Sequence, residues 1–227
     1  MKLVCAVLTA LLVLAPVSPA SAAADCSVDD ATLTWGFKES FRSYISGTIA
    51  NGEWTVDDGA TYETPNFGFS GGTGSYDGDG SIAFEGSIRF TGHGGILDTT
   101  IANPELQIDG ELAQLFLDVR GTTQEGAEIN ERHVAFASVD LYDHVESADG
   151  KVSIVDASAT LTAPGAIAFG TYESGEALDP ITVVLTTREG CVTSPPPWWL
   201  FGTLGILAVM AAALAVLWRD RRPERKN

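Results

Sequence analysis

Basic residues are scarce in this chain. Between residues 25 and 197 there are seven (Lys38, Arg42, Arg89, Arg120, Arg132, Lys151 and Arg188) against 28 acidic ones, a formal charge of −21. Such a surface excludes nucleic acid as a partner, because that binding needs basic patches. It suits solubility, and it can steer basic partners. Cysteine is nearly absent: of three, Cys5 falls in an apolar leader, which leaves Cys26 and Cys191 toward the two ends of what remains. Outside the cell such a pair persists as a disulfide, so a Cys26–Cys191 bridge is expected to close nearly the whole domain as one loop. The three histidines, His93, His133 and His144, are spread along the chain, which argues against a zinc hydrolase. There is no Gly-x-Ser-x-Gly, no His-Glu-x-x-His and no phosphate loop. Asp77, Asp79 and Glu85 lack the spacing of a calcium loop and read as a solvated turn. Nothing in the chain calls for an enzyme.

Two apolar stretches stand apart from the domain. Residues 1–24 start with Lys2, continue through Leu3–Val17 and end in Ser21-Ala22-Ala23-Ala24, the pattern of a secretory signal peptide. Trp198–Trp218 is uncharged and has Trp at both ends. It matches the roughly 20 residues needed to cross hydrocarbon, and flanking indoles suit the interfaces. Pro195-Pro196-Pro197 reads as a stiff spacer before it, and the net-basic tail 219–227 reads as cytoplasmic. The expectation is a single-pass cell-membrane protein with residues 25–194 as an external domain.

That domain reads as mostly β. Ser81–Thr91 has a clean period of two, with Ile82, Phe84, Ile88 and Phe90 on one side and Glu85, Ser87, Arg89 and Thr91 on the other. Further strands are expected over Thr61–Ser70 (broken by Pro65), Ile96–Ile101, Glu105–Ile108, Leu112–Val119, Arg132–Tyr142, Lys151–Val155, Ser158–Ala163 and Ile181–Thr186. Turn signals at Asn103-Pro104, Asp109-Gly110 and Asp149-Gly150 separate several of them. The expected fold is two packed antiparallel sheets with one short N-terminal α-helix, plus the C-terminal transmembrane helix.

The short helix is expected over Thr34–Ile45, where Phe37, Phe41, Tyr44 and Ile45 recur at helical spacing behind Thr34 as a cap. Tyr44 is either a half-buried structural tyrosine with a bonded hydroxyl or, as phenolate, a metal ligand to ferric haem. The second role needs a neighbour that favours the anion, because a free phenol ionises near pH 10. His93 lies between Gly92 and Gly94-Gly95, which let backbone approach a ligand closely. It is either a surface histidine or a partner for that phenol. His133 either lines a pocket or faces water.

Leu33–Ile45 (LTWGFKESFRSYI), Phe90–Leu97 (FTGHGGIL) and Ile101–Pro104 (IANP) together resemble the HtaA-domain family, secreted or membrane-anchored haem-binding proteins of corynebacteria and related actinobacteria. The resemblance covers roughly Ala31–Leu141 and reaches more loosely toward Leu185. It implies a non-enzymatic, metal-binding role in which Tyr44 coordinates the iron of b-type ferric haem and His93 hydrogen-bonds to Tyr44. It also implies partners: haemoglobin or other host haem proteins as source, other HtaA-type proteins, and the haem-receptor lipoprotein of an ABC transporter. Phe37 and Phe41 are expected to offer apolar surface to the porphyrin, and Ser46 to meet a propionate. The alternative is a β-sandwich adhesion or interaction module without haem.

Overall fold

The computed structural model describes residues 26–148, 150–188 and 191. In chain order the strands and helices are β1 Val28–Trp35, α1 Glu39–Ser46, β2 Glu53–Asp57, β3 Thr61–Glu63, β4 Asn66–Phe69, β5 Thr73–Tyr76, β6 Gly80–Ala83, β7 Ser87–Gly92, β8 Leu97–Asp109, β9 Leu112–Thr122, β10 Glu128–Asp140, β11 Val145–Ala148, β12 Lys151–Leu161, α2 Ala163–Phe169 and β13 Ile181–Thr187. One 3-10 turn, His93–Gly95, links β7 to β8.

The strands form one sheet, ordered β2-β7-β8-β9-β10-β12-β13-β1-β4-β3, not the two packed sheets expected from the sequence. Its ends, β2 and β3, are joined by a tight turn, and the Trp54 and Tyr62 rings meet across them at 5.3 Å. The sheet therefore curls into a near-barrel around a single core. The physical cause is a set of bulges. Register shifts interrupt β8 between Ala102 and Glu105, and β10 at two places between Glu131 and Ala137. Bulges bend strands and raise twist, so the long strands wrap the core.

Local differences have local causes. β1 runs through Trp35, because Leu33 and Trp35 are both buried in strand alternation. Thr34 is therefore a strand residue, and α1 starts only at Glu39 with Lys38 in the cap position. The strand expected over Ser81–Thr91 breaks into β6 and β7 at Gly86 (φ 137°), where a Cβ would sit 2.8 Å from the Phe69 ring. The buried row Ile82, Phe84, Ile88 and Phe90 holds across the break. β8 fuses two expected strands. A second helix, α2, was not expected. Thr162 caps it by accepting from Gly165 N at 3.0 Å, and Pro164 lies in its first turn.

Among the described residues no helix is long and apolar enough to cross a membrane. At 1.5 Å per residue, α1 and α2 are each about 10–12 Å long against a hydrocarbon core of about 30 Å. The expected transmembrane helix over 198–218 lies outside the described residues, as do 1–24, the 195–197 spacer and the 219–227 tail. The single-pass topology with a cytoplasmic C-terminus is corrected accordingly.

The core is richest in aromatics where α1 meets the barrel. Phe37, fully buried, packs on Trp35 at 5.0 Å, Phe90 at 5.3 Å, Phe169 at 5.2 Å, Phe41 at 5.7 Å and Phe136 at 5.9 Å. At the other end of β1, Cys26 and Cys191 are bridged across a separation of 165 residues. Replacing both cysteines by serine should lower the unfolding free energy by about 2–5 kcal/mol, as for a native disulfide closing a long loop. Urea denaturation checks this, and an unchanged midpoint would contradict it.

Candidate functional site

The site is built on α1 because α1 is fastened to the barrel from a distance. Lys38 offers no side-chain cap. Asp179, just before β13, substitutes: its Oδ1 accepts from Glu39 N at 2.9 Å and its Oδ2 from Arg42 Nη1 at 2.6 Å. Its backbone N donates to Phe37 O at 3.0 Å, and its carbonyl accepts from Trp35 Nε1 at 2.9 Å. Arg42 also donates to Gly36 O. Lys38 Nζ reaches Glu176 Oε1 at 3.1 Å and Ala177 O at 2.7 Å. Phe41 and Ile45 bury the inner face of α1, which leaves Ser40 and Tyr44 along its outer side.

Tyr44 is half-buried, and its hydroxyl hydrogen-bonds His93 Nε2. The two rings are 5.7 Å apart and tilted by 50°. His93 is held by its backbone: its N donates to Ala50 O at 2.7 Å, and Ala50 follows the end of α1 by four residues. The 3-10 turn after it is left-handed at His93 (φ 52°) and Gly94 (φ 62°). Added Cβ atoms at Gly94 and Gly95 would meet nothing within 4 Å, so this side of the turn is open.

Further segments complete a rim. Ile96 O accepts from Thr122 Oγ1 at 2.7 Å, which joins the His93 turn to the end of β9. Gly170, the C-cap of α2, packs on Thr123. Tyr172 then closes the circuit. Its ring stacks on Phe169 at 5.7 Å, its hydroxyl lies 3.0 Å from Ser40 Oγ, and Lys38 Nζ sits 4.8 Å from its centroid. Sequence reasoning missed Tyr172, which belongs to no periodic pattern. Large apolar side chains stand exposed on these segments: Ile49 is 76% exposed, Ile96 56% and Ile167 77%.

Of the sequence-derived candidates, Tyr44 and His93 are brought together. Phe37 and Phe41 are fully buried beneath them, with the Phe41 ring 6.1 Å from Tyr44. Ser46 Oγ donates to Arg42 O at 3.0 Å. His133 is elsewhere: exposed on the outer sheet face, it stacks on Phe116 at 4.2 Å and meets Glu105 Oε2 at 3.0 Å. His144 Nδ1 contacts Val155 O at 2.8 Å. A concavity of about 660 Å³ is lined by Ser81, Gln107, Leu112, Gln114 and Ser138 and contains neither Tyr44 nor His93.

Burial holds the Tyr44 phenol above the usual tyrosine range, and neighbouring Tyr172 pushes the same way. In the unloaded protein Tyr44 is a neutral phenol. Among the described residues no group of three or more His, Cys, Asp or Glu could hold a metal ion. The expectation of metal binding is corrected to this extent: the His, Cys, Asp and Glu side chains of the described residues form no metal centre. One phenol backed by one imidazole suits a metal whose remaining positions another ligand already fills. A metalloporphyrin has that property.

A family model described as HtaA matches residues 30–184. The crystal structure of the C-terminal domain of HtaA from Corynebacterium glutamicum is similar at 38% identity and TM-score 0.67, covering 72% of this chain and 99% of that one. The N-terminal domain of the same protein is similar at 37% identity and TM-score 0.61, covering 71% and 99%. Heme binding protein HtaB from the same organism is similar at 25% identity and TM-score 0.54, covering 72% and 94%. A search of curated proteins finds no match.

Two outcomes follow from this geometry. Asp179→Ala strands the buried Arg42 and uncaps α1. It should cost about 3 kcal/mol, the low end for breaking a buried pair, because the Asp179 side chain keeps 23% of its exposure. Urea unfolding reads this, and a loss under about 1 kcal/mol would contradict the anchoring role. Phenolate absorbance of wild type and Tyr44→Phe should differ only above about pH 10, the free-phenol value. The folded chain holds the Tyr44 proton more tightly than the unfolded chain. The stability this contributes is therefore complete below the unfolded value and lost as pH rises through the folded one. A difference on the acid side would contradict the assignment.

Proposed function

The chain belongs to the HtaA family, and on that premise we propose that it binds ferric haem with Tyr44 Oη on the iron and His93 Nε2 donating to that oxygen. The observation that carries this reading is the Tyr44–His93 hydrogen bond, which joins residues 49 apart in sequence. Phenolate is a hard anionic donor that prefers ferric iron, and a porphyrin would supply the iron's remaining nitrogen ligands. Binding removes the phenol proton, and His93 is placed to receive it at Nε2. The same nitrogen accepts from Tyr44 O–H in the empty site and donates to the phenolate in the loaded one. That bond offsets the burial that otherwise disfavours the anion. Ile49 and Ile96 offer apolar contact to the macrocycle, and Phe37 and Phe41 stiffen the floor under Tyr44.

The module breaks no substrate bond and is not an enzyme. A single anionic protein ligand, Tyr44, at an open rim would suit transfer between proteins. We read the chain as taking haem from haemoglobin or other host haem proteins and passing it, directly or through other HtaA-type proteins, toward the lipoprotein of a haem ABC transporter. A ferric haem titration of the purified full chain, followed in the visible range, should saturate at one haem per chain. Tyr44→Phe should remove the phenolate-to-iron charge-transfer absorbance. His93→Ala should keep that absorbance and weaken binding about 10–100-fold, the usual cost of losing a ligand's hydrogen-bond partner. An unchanged spectrum in Tyr44→Phe would contradict the ligand assignment.

A further inference from the structure

We propose that the outer face of the sheet carries a second binding site, a trench that takes an extended neutral oligosaccharide. It lies away from Tyr44 and His93 and is independent of the haem reading. Its floor is one cross-strand row. Ser81 on β6 pairs in register with Gln107 on β8, Gln107 with Gln114 on β9, and Gln114 with Ser138 on β10. All four line the concavity of about 660 Å³. Ser138 pairs in turn with Thr160 on β12, which carries the row onto a fifth strand. At about 4.8 Å per strand the row is about 19 Å long, a span suited to a chain of sugar rings rather than to one.

The chemistry of the row selects the ligand. Gln107, Gln114, Ser138 and Thr160 are exposed, and their neighbours along each strand are buried in the core, so the row faces outward. The chain has 28 acidic residues between 25 and 197, yet this row holds only amides and hydroxyls. A side-chain amide offers donors and an acceptor, and a hydroxyl offers both roles. Sugar hydroxyls are likewise donors and acceptors, so the two sets pair without burying a charge. Among the described residues Gln114, Ser138 and Thr160 make no side-chain hydrogen bond, which leaves their polar atoms for a ligand. The other end of the row is preset by Glu105. Its Oε1 accepts from Ser81 Oγ at 2.7 Å and Gln107 Nε2 at 2.9 Å, and its Oε2 meets His133 Nε2 at 3.0 Å. The Glu105 charge is used within the protein, and the side chains it holds lose little freedom on binding.

Apolar surface stands where β8 turns into β9. Leu112, 65% exposed, lines the concavity. Tyr142, 60% exposed, lies in the neighbouring turn, where Leu141 N donates to Glu111 O at 2.8 Å. Such side chains beside amides suit the C–H face of a sugar ring. Asp109 and Asp140 both pair with Leu112 there, and their carboxylates repel an anionic glycan. A basic peptide finds no uncommitted carboxylate on the floor, and a lipid chain finds no apolar one. The sheet face of the OB barrel binds oligosaccharides. Along β8, Gln107 lies about 30 Å of strand from Leu97 beside the His93 turn, so a bound glycan leaves the Tyr44 mouth open.

The test is native electrophoresis of the full chain, whose net charge of −17 carries it to the anode, through gels containing galactomannan, glycogen or hydroxyethylcellulose. At least one of these neutral polysaccharides should retard it, and the anionic carboxymethylcellulose should not. Gln107→Ala with Gln114→Ala should weaken retention about tenfold, as for two lost neutral hydrogen-bonding groups. Ser138→Trp, which fills the trench, should also abolish it. Asn130→Ala, in a separate depression of the same face, should be retarded like wild type. All three variants should keep the wild-type urea midpoint and ferric haem titration, because the exchanged side chains are exposed and far from Tyr44. Free migration in every neutral gel would overturn the proposal. So would retention that survives both trench variants, or equal retention by carboxymethylcellulose. Failure of the chain to bind haem would overturn the Tyr44 reading and leave the trench standing.

Discussion

The structure depends on the carboxylate of Asp179. α1 has eight residues and a lysine in its cap position, which is too little to be a stable helix by itself. Asp179 caps it, pairs with the guanidinium of Arg42 beneath it, and through its backbone ties in Phe37 and Trp35. A charge-assisted pair partly shielded from water is strong where both partners are held. Here one partner is fixed by the barrel and the other by the helix. Tyr44, two residues beyond Arg42 on the same short helix, inherits its position from this contact.

The second half of the site is fastened to the loop that leaves the same helix. His93 is set by a backbone bond to Ala50, and the loop that carries Ala50 begins at the end of α1. The phenol and the imidazole therefore move with one helix and its C-terminal turn. Aromatic rings fill the space beneath, and glycines leave the space above open. The floor is rigid and the mouth is not enclosed, an arrangement suited to a ligand that must arrive and leave.

Some of this was legible in the sequence. The row Ile82, Phe84, Ile88 and Phe90 announced its buried face by alternation, and Cys26 and Cys191, toward the two ends of the domain, announced their bridge. Tyr44 and His93 were reached through family motifs, because no spacing rule joins residues that far apart. The closure into one sheet was not legible: a period of two tells inside from outside but not which strand pairs with which. The bulges that bend the sheet sit at residues such as Asn103 and His133, both with positive φ: Asn103-Pro104 reads as a turn between two strands but is a bulge inside one, and His133 carries no turn signature. α2 did carry a signal, Thr162 followed by Pro164, but it is one short helix in a run that also reads as strand. Asp179 and Tyr172 act through partners more than 130 residues away, where sequence patterns have no reach. Phe37 and Phe41 show the opposite failure: helical spacing marked them as apolar but could not tell a buried floor from a ligand-facing wall.

The most direct test of the central claim is a crystal structure of the full chain loaded with ferric haem, with the iron located by its anomalous scattering. The account requires the Tyr44 oxygen at coordination distance from the iron and His93 Nε2 within hydrogen-bond reach of that oxygen. Iron bound to a histidine nitrogen, with Tyr44 still bonded as in the empty site, would contradict it.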